Sequence, residues 1–88
     1  MEEKNWPVNI VIDEYEGRTR AEARLQIGGG IELRGLGQAR LNPTDSDVPQ
    51  IGDELATARA LADLAHQLIE ATAADIEKTT HQPSHLKA

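Results

Sequence analysis

The sequence has no cysteine and no phenylalanine, and only one tryptophan and one tyrosine in 88 residues. Without cysteine there is no disulfide framework, no thiolate metal site and no cysteine nucleophile. So few aromatics leave no platform on which successive bases could stack. Basic residues are also short: nine Lys and Arg stand against fifteen Asp and Glu, a formal net charge of -6. Polyanion-binding domains are usually basic. No apolar run approaches the roughly 20 residues of a membrane span. Met1 to Asn5 is charged and opens no signal-type apolar stretch, so secretion is not expected and the chain reads as cytoplasmic.

What is present is a short chain with small apolar residues. The strong aliphatics are nine Leu, seven Ile and three Val, beside twelve Ala. That is enough for one two-layer domain over residues 1–80, with little to spare. Association with a second copy would supplement so thin a core.

Period-two patterns predict three strands. Trp6, Val8, Ile10 and Ile12 alternate with Pro7, Asn9, Val11 and Asp13, giving a first strand over about 6–14. Pro7, lacking an N–H, belongs at a strand start or a sheet edge. A turn at Asp13 to Arg18 leads to a strand over 18–27, with Thr19, Ala21, Ala23, Leu25 and Ile27 on one face. Gly28-Gly29-Gly30 makes a hairpin loop, and a third strand runs over 31–41. Its inner parity includes Gly35 and Gly37, which mark either a bulge or a close approach by another segment. Trp6 reads as a core anchor, with an exposed interaction hot spot as the alternative.

A helix is predicted over about 48–78, with Asp47 and Gln50 as a capping box and Pro49 in the first turn. Residues 81–88 read as a flexible tail. On a helical wheel, apolar residues cover about half the circumference, well beyond the roughly 100° a surface helix needs. Ala58, Ala65 and Thr72 form a small-residue centre. Leu61, Leu64 and Leu68 flank it on one side; Ile51, Leu55 and Ile69 flank it on the other. Arg59, Asp63, His66, Gln67 and Glu70 take the opposite face. A helix of roughly 42 Å overhangs strands of roughly 30 Å. One apolar row is then left for a partner, most simply a two-fold homodimer that buries Leu61, Leu64 and Leu68 or the opposite row. The alternative is that residues 42–50 and the N-terminus cover that row.

Several segments resemble a family of short actinobacterial proteins typified by a mycobacterial hypothetical protein. They are Trp6 to Glu14, Arg18 to Leu25, Leu41-Asn42-Pro43, and Asp47 to Leu61, the stretch from Asn42 to Leu61 being the most specific. The fold of that family is classed as double-stranded-RNA-binding-domain-like. The resemblance therefore implies an α+β architecture, β-β-β-α, with a three-stranded antiparallel meander on one long C-terminal helix. Periodicity gives the same order independently. The resemblance implies no activity, cofactor or site residue.

Binding candidates are few. Arg20, Arg24, Arg34 and Arg40 fall by parity on the open face of the sheet, with Arg18 beside them, and form a possible anion or nucleic-acid face. Glu22 and Glu32 share that face, which suits a solvated surface of cross-strand ion pairs. The helix start, Gln50-Ile51-Gly52-Asp53-Glu54, repels phosphate, unlike that of a true RNA-binding relative. Gly28 to Gly30 lacks the Lys-Ser/Thr of a phosphate loop, and Gly35-x-Gly37 lacks the third glycine of a dinucleotide fingerprint. His81 and His85 are four apart but separated by Pro83, without a third metal ligand. His66 pairs with Asp63 or Glu70 at helical spacing. Asp45-Ser46-Asp47 lacks the rest of a calcium loop. No catalytic set, metal site or cofactor is implied. The expectation is a small non-enzymatic interaction module that self-associates, leaves room for an unknown protein partner, and is not a membrane protein. The alternative is a nucleic-acid-binding protein using the arginine face.

Overall fold

The turns dictate the sheet. Glu16 and Gly17 both adopt positive φ, 51° and 75°. Two such residues between paired strands make the primed two-residue turn whose twist matches a hairpin. Tyr15 is thereby set opposite Arg18, and Ile27 opposite Ile31 across the Gly28–Gly30 loop. The computed structural model describes residues 2–40 and 48–81. Strands β1 (Val8–Tyr15), β2 (Arg18–Ile27) and β3 (Ile31–Arg40) form an antiparallel sheet in the order β1-β2-β3. Helix α1 (Pro49–Thr80) follows, so the order is β-β-β-α as expected from the sequence. The registers run unbroken, so Gly35 and Gly37 make no bulge.

The inner face is tapered. Ile12, Ala21 and Gly37 form one row across it, and Ile10, Ala23 and Gly35 the next. Side-chain height therefore falls from β1 to β3, and the helix settles where the face is lowest. A Cβ on Gly37 would stand under 3.0 Å from the backbone at Ala56 and Ala60, and one on Gly35 equally close to Ala60 and Leu64. Helix and strand touch backbone to backbone. The spacing suits both elements: four helical residues rise about 6 Å and two strand residues about 6.6 Å. Gly52 continues the row over Thr19.

The sheet-facing row of α1 is therefore Gly52, Ala56, Ala60 and Leu64. The wheel, which favours bulky residues, places Ala58, Ala65 and Thr72 at the centre, yet all three are exposed. The core is Ala21, Ala23, Leu25, Ala39, Ala56, Ala60 and Leu64, with Ile10, Ile27, Leu33 and Leu68 packed against it. Trp6 is no core anchor: 51% of its surface is exposed, because it precedes β1 on the side away from the helix. Val48 is the N-cap and makes no side-chain cap bond. Gln50 donates instead to Glu54 Oε1 at 2.9 Å, while Asp47, the expected cap, lies outside the described residues. At 32 residues, about 48 Å, α1 outruns the ten-residue strands, and every residue from Ala74 onward is exposed. His81 closes it in the left-handed conformation, its N–H donating to the Glu77 carbonyl at 2.7 Å.

Gly35→Ala and Gly37→Ala should each lower stability by about 3 kcal/mol or more, since rigid backbone faces the added methyl. Gly28→Ala, which meets nothing within 4 Å, should stay within about 0.5 kcal/mol of the parent. Urea unfolding midpoints of the three variants check this.

Candidate interaction surface

An edge strand leaves every second backbone N–H and C=O unpaired. On β3 the even-numbered residues from Glu32 to Arg40 carry those groups, and α1 bonds one group on each of Arg34, Leu36 and Gln38 with side chains spaced four apart. Arg59 Nη1 donates to the Gln38 carbonyl at 2.6 Å. The Leu36 N–H donates to Asp63 Oδ2 at 2.8 Å. Gln67 Nε2 donates to the Arg34 carbonyl at 2.6 Å and also to Asp63 Oδ2 at 3.0 Å. Sequence reasoning assigns Arg59, Asp63 and Gln67 to the solvent side. They lie instead along the β3 edge, because the helix sits directly over that strand. Their i, i+4 spacing was a visible signal, but its target was not.

The β1 edge has no such cover. The Gln26 N–H donates to the Pro7 carbonyl at 3.0 Å, which fixes the alternation: odd-numbered residues of β1 face β2, and Val8, Ile10, Ile12 and Glu14 turn their N–H and C=O outward. The inner side chains of β1 are also underpacked. Val8 and Ile12 are exposed, and Leu61 of α1 stands exposed beside Ile12. Between strand and helix runs a shallow groove of about 410 Å³ lined by Ile12, Asp53, Glu54, Thr57, Ala58 and Leu61. Of the three leucines read as a partner-facing row, only Leu61 is exposed, at 43%. Leu64 is 4% exposed in the domain's own core and Leu68 packs against that core. The expected interface through all three is corrected: Leu64 belongs to the row that touches Gly35.

The open face carries its arginines largely in ion pairs. Arg24 Nε lies 2.7 Å from Glu22 Oε1, Arg34 Nη1 3.5 Å from the same oxygen, and Arg34 Nε 3.1 Å from Glu32 Oε1. Arg20 reaches Asp13 at 3.4 Å. Among the described residues Arg18 and Arg40, which are cross-strand partners, have no ion pair. The Arg24 hydrogen bond, aided by the charges of Arg24, Arg34 and Arg20, holds the Glu22 carboxyl below its usual range against a smaller opposing effect of burial. Glu22 in turn raises Arg24, first through that hydrogen bond. His66 Nε2 lies 3.1 Å from Glu70 Oε1. Among the described residues no three His, Asp or Glu side chains are grouped to hold a metal ion. His85 lies outside them, as does Asp45-Ser46-Asp47. No described helix is long and apolar enough to cross a membrane.

A three-stranded meander closed on one edge by its own C-terminal helix defines a small α+β class. The chain belongs to the Rv2632c-like family, whose model matches residues 4–85. It is 54% identical over 83 residues to the uncharacterized protein Mb1767 of Mycobacterium bovis, covering 94% of this chain and 87% of that protein. It is also 54% identical over 80 residues to the uncharacterized protein Rv2632c of Mycobacterium tuberculosis, covering 91% and 85%. The crystal structure of Rv2632c matches with a TM-score of 0.83 at 52% identity, covering 94% of this chain and 98% of that one.

Asp63→Ala should cost about 1.5–3 kcal/mol, the range of a hydrogen bond to a charged group. It should also speed amide exchange at Leu36 while Gly35 and Gly37, which pair with β2, stay protected. A second expectation concerns acid. With its pKa lowered by folding, Glu22 contributes stability above its unfolded value of about 4.3 and loses it as pH falls through the folded value. The gap in urea midpoint between the parent and Glu22→Gln should hold near neutrality and shrink below about pH 4.

Proposed function

We propose that this protein is a small non-enzymatic cytoplasmic interaction module that self-associates. The observation supporting it most is the asymmetry of the sheet: one edge is hydrogen-bonded by the chain's own helix, while the other has no cover among the described residues and is bordered by Trp6, Val8, Ile12 and Leu61, all exposed. Exposed apolar side chains gathered at an unpaired strand edge often mark an interaction site. An alanine-rich core in which no large side chain is fully buried gives the domain a reason to gain stability from a second copy.

The arginine face supports a nucleic-acid reading less well. Arg20, Arg24 and Arg34 are already engaged by carboxylates, and the net charge of -6 opposes a polyanion. The RNA-binding-domain-like class that the family resemblance implies adds nothing, since a fold does not fix a function.

Light scattering or native mass spectrometry tests the proposal directly. The expected mass is twice the 9.6 kDa chain at micromolar concentration, falling towards one chain on dilution. A single-chain mass at every concentration up to about 100 µM, where an interface weaker than roughly 5 kcal/mol would escape notice, sinks self-association.

A further inference from the structure

The geometry points to β1 as the seam between two copies: β1 pairs antiparallel with β1 of a second chain about a two-fold axis at Ile10, joining two three-stranded sheets into one of six strands. The inference rests on the self-association proposed above and names its mode. Four observations carry it.

The outward groups are the right ones. Val8, Ile10 and Ile12 turn their N–H and C=O away from β2, as the Gln26-to-Pro7 bond requires. An axis at Ile10 therefore sets Ile10 opposite itself and Val8 opposite Ile12, each as a hydrogen-bonded pair. Pro7 does not interfere, because its carbonyl points to β2 and its missing N–H would have pointed there too.

The register is self-complementary. The central pairs on the helix-bearing face are then apolar, Val8 with Ile12 and Ile10 with Ile10, and only the flanking Glu14 brings a charge to that face. On the open face Asn9 meets Val11. Asp13 falls opposite Pro7, and Glu14 opposite Trp6, so no carboxylate faces another across the axis. Cross-strand pairs of β-branched residues are the favourable kind.

The edge carries few of the devices that keep edge strands apart, its charges Asp13 and Glu14 standing only at the far end of the strand and Pro7 just before it. β1 is eight residues long, has no lysine and no bulge, and nothing among the described residues covers it. The β3 edge, by contrast, is bonded at Arg34, Leu36 and Gln38.

Closure follows from that contrast. With one edge open per chain, edge addition stops at two copies, so the product is a closed dimer and not a fibre. A two-fold normal to the sheet keeps both helices on one side. It lays the two open faces side by side on the other, each with its Arg20, Arg24 and Arg34.

Amide exchange by NMR, with the mass followed in parallel, tests the seam. In a sample of dimer mass, the N–H groups of Val8, Ile10 and Ile12 should be protected at least tenfold and lose that protection on dilution. Ile10→Pro removes an outward N–H and no bond to β2, so it should give a single-chain mass with helical circular dichroism retained. A dimer mass with those three amides exchanging freely overturns the β1 seam and leaves self-association standing. A dimer in which Glu14 is protected and Val8 is not overturns the register. A single-chain mass for the parent overturns both.

Discussion

The rest of this structure depends on the contact between the backbone of α1 and the backbone of β3. Gly35 and Gly37 offer no side chain, and Ala56 and Ala60 offer almost none, so the two elements approach until a single added methyl would collide. Close packing of this kind is intolerant of volume changes. It brings Ala56, Ala60 and Leu64 into a core that is otherwise alanine and leucine from β2 and β3. It also fixes the helix laterally. A helix drawn onto the glycine side of the sheet must leave the isoleucine side.

Two opposite consequences follow. On β3 the helix comes near enough for Arg59, Asp63 and Gln67 to reach past the strand and bond its outer backbone groups. The coincidence of a four-residue helical step with a two-residue strand step lets three successive side chains meet three successive groups. On β1 the same displacement leaves Val8 and Ile12 standing with no helix above them and the backbone edge unpaired. One packing choice both closes one edge and opens the other. The functional reading follows from that imbalance and not from any catalytic constellation.

Much of this was legible in the residues. The alternation in β1 and β2, the glycine turns and the unbroken helical stretch gave the element order within one or two residues. Gly35 and Gly37 suggested a close approach as one of two readings. The misreadings share a cause. Ranking wheel positions by hydrophobicity selects Leu and Ile rows, whereas the partner of a glycine is the smallest row available. Gly52, Ala56 and Ala60 were therefore overlooked, Leu64 was assigned to a partner, and Arg59, Asp63 and Gln67 to solvent. Trp6 was drawn into the core by its size, although the helix never crosses to that side of the sheet. Glu22, the hub of the open face, was visible only as one charge among several, because its three arginines come from two strands.

By itself the sequence determined the local matters: which stretches alternate, where the chain must turn, that a helix of some thirty residues follows three strands, and which side chains share a face of each strand. These depend on neighbours within a few residues, through sterics and periodicity. Only the tertiary structure decided where the helix lies across the sheet. That position is set by the sum of side-chain heights along rows assembled from three strands, and no single segment contains such a row. The bonded edge, the bare edge and the surface offered to a second copy all descend from it.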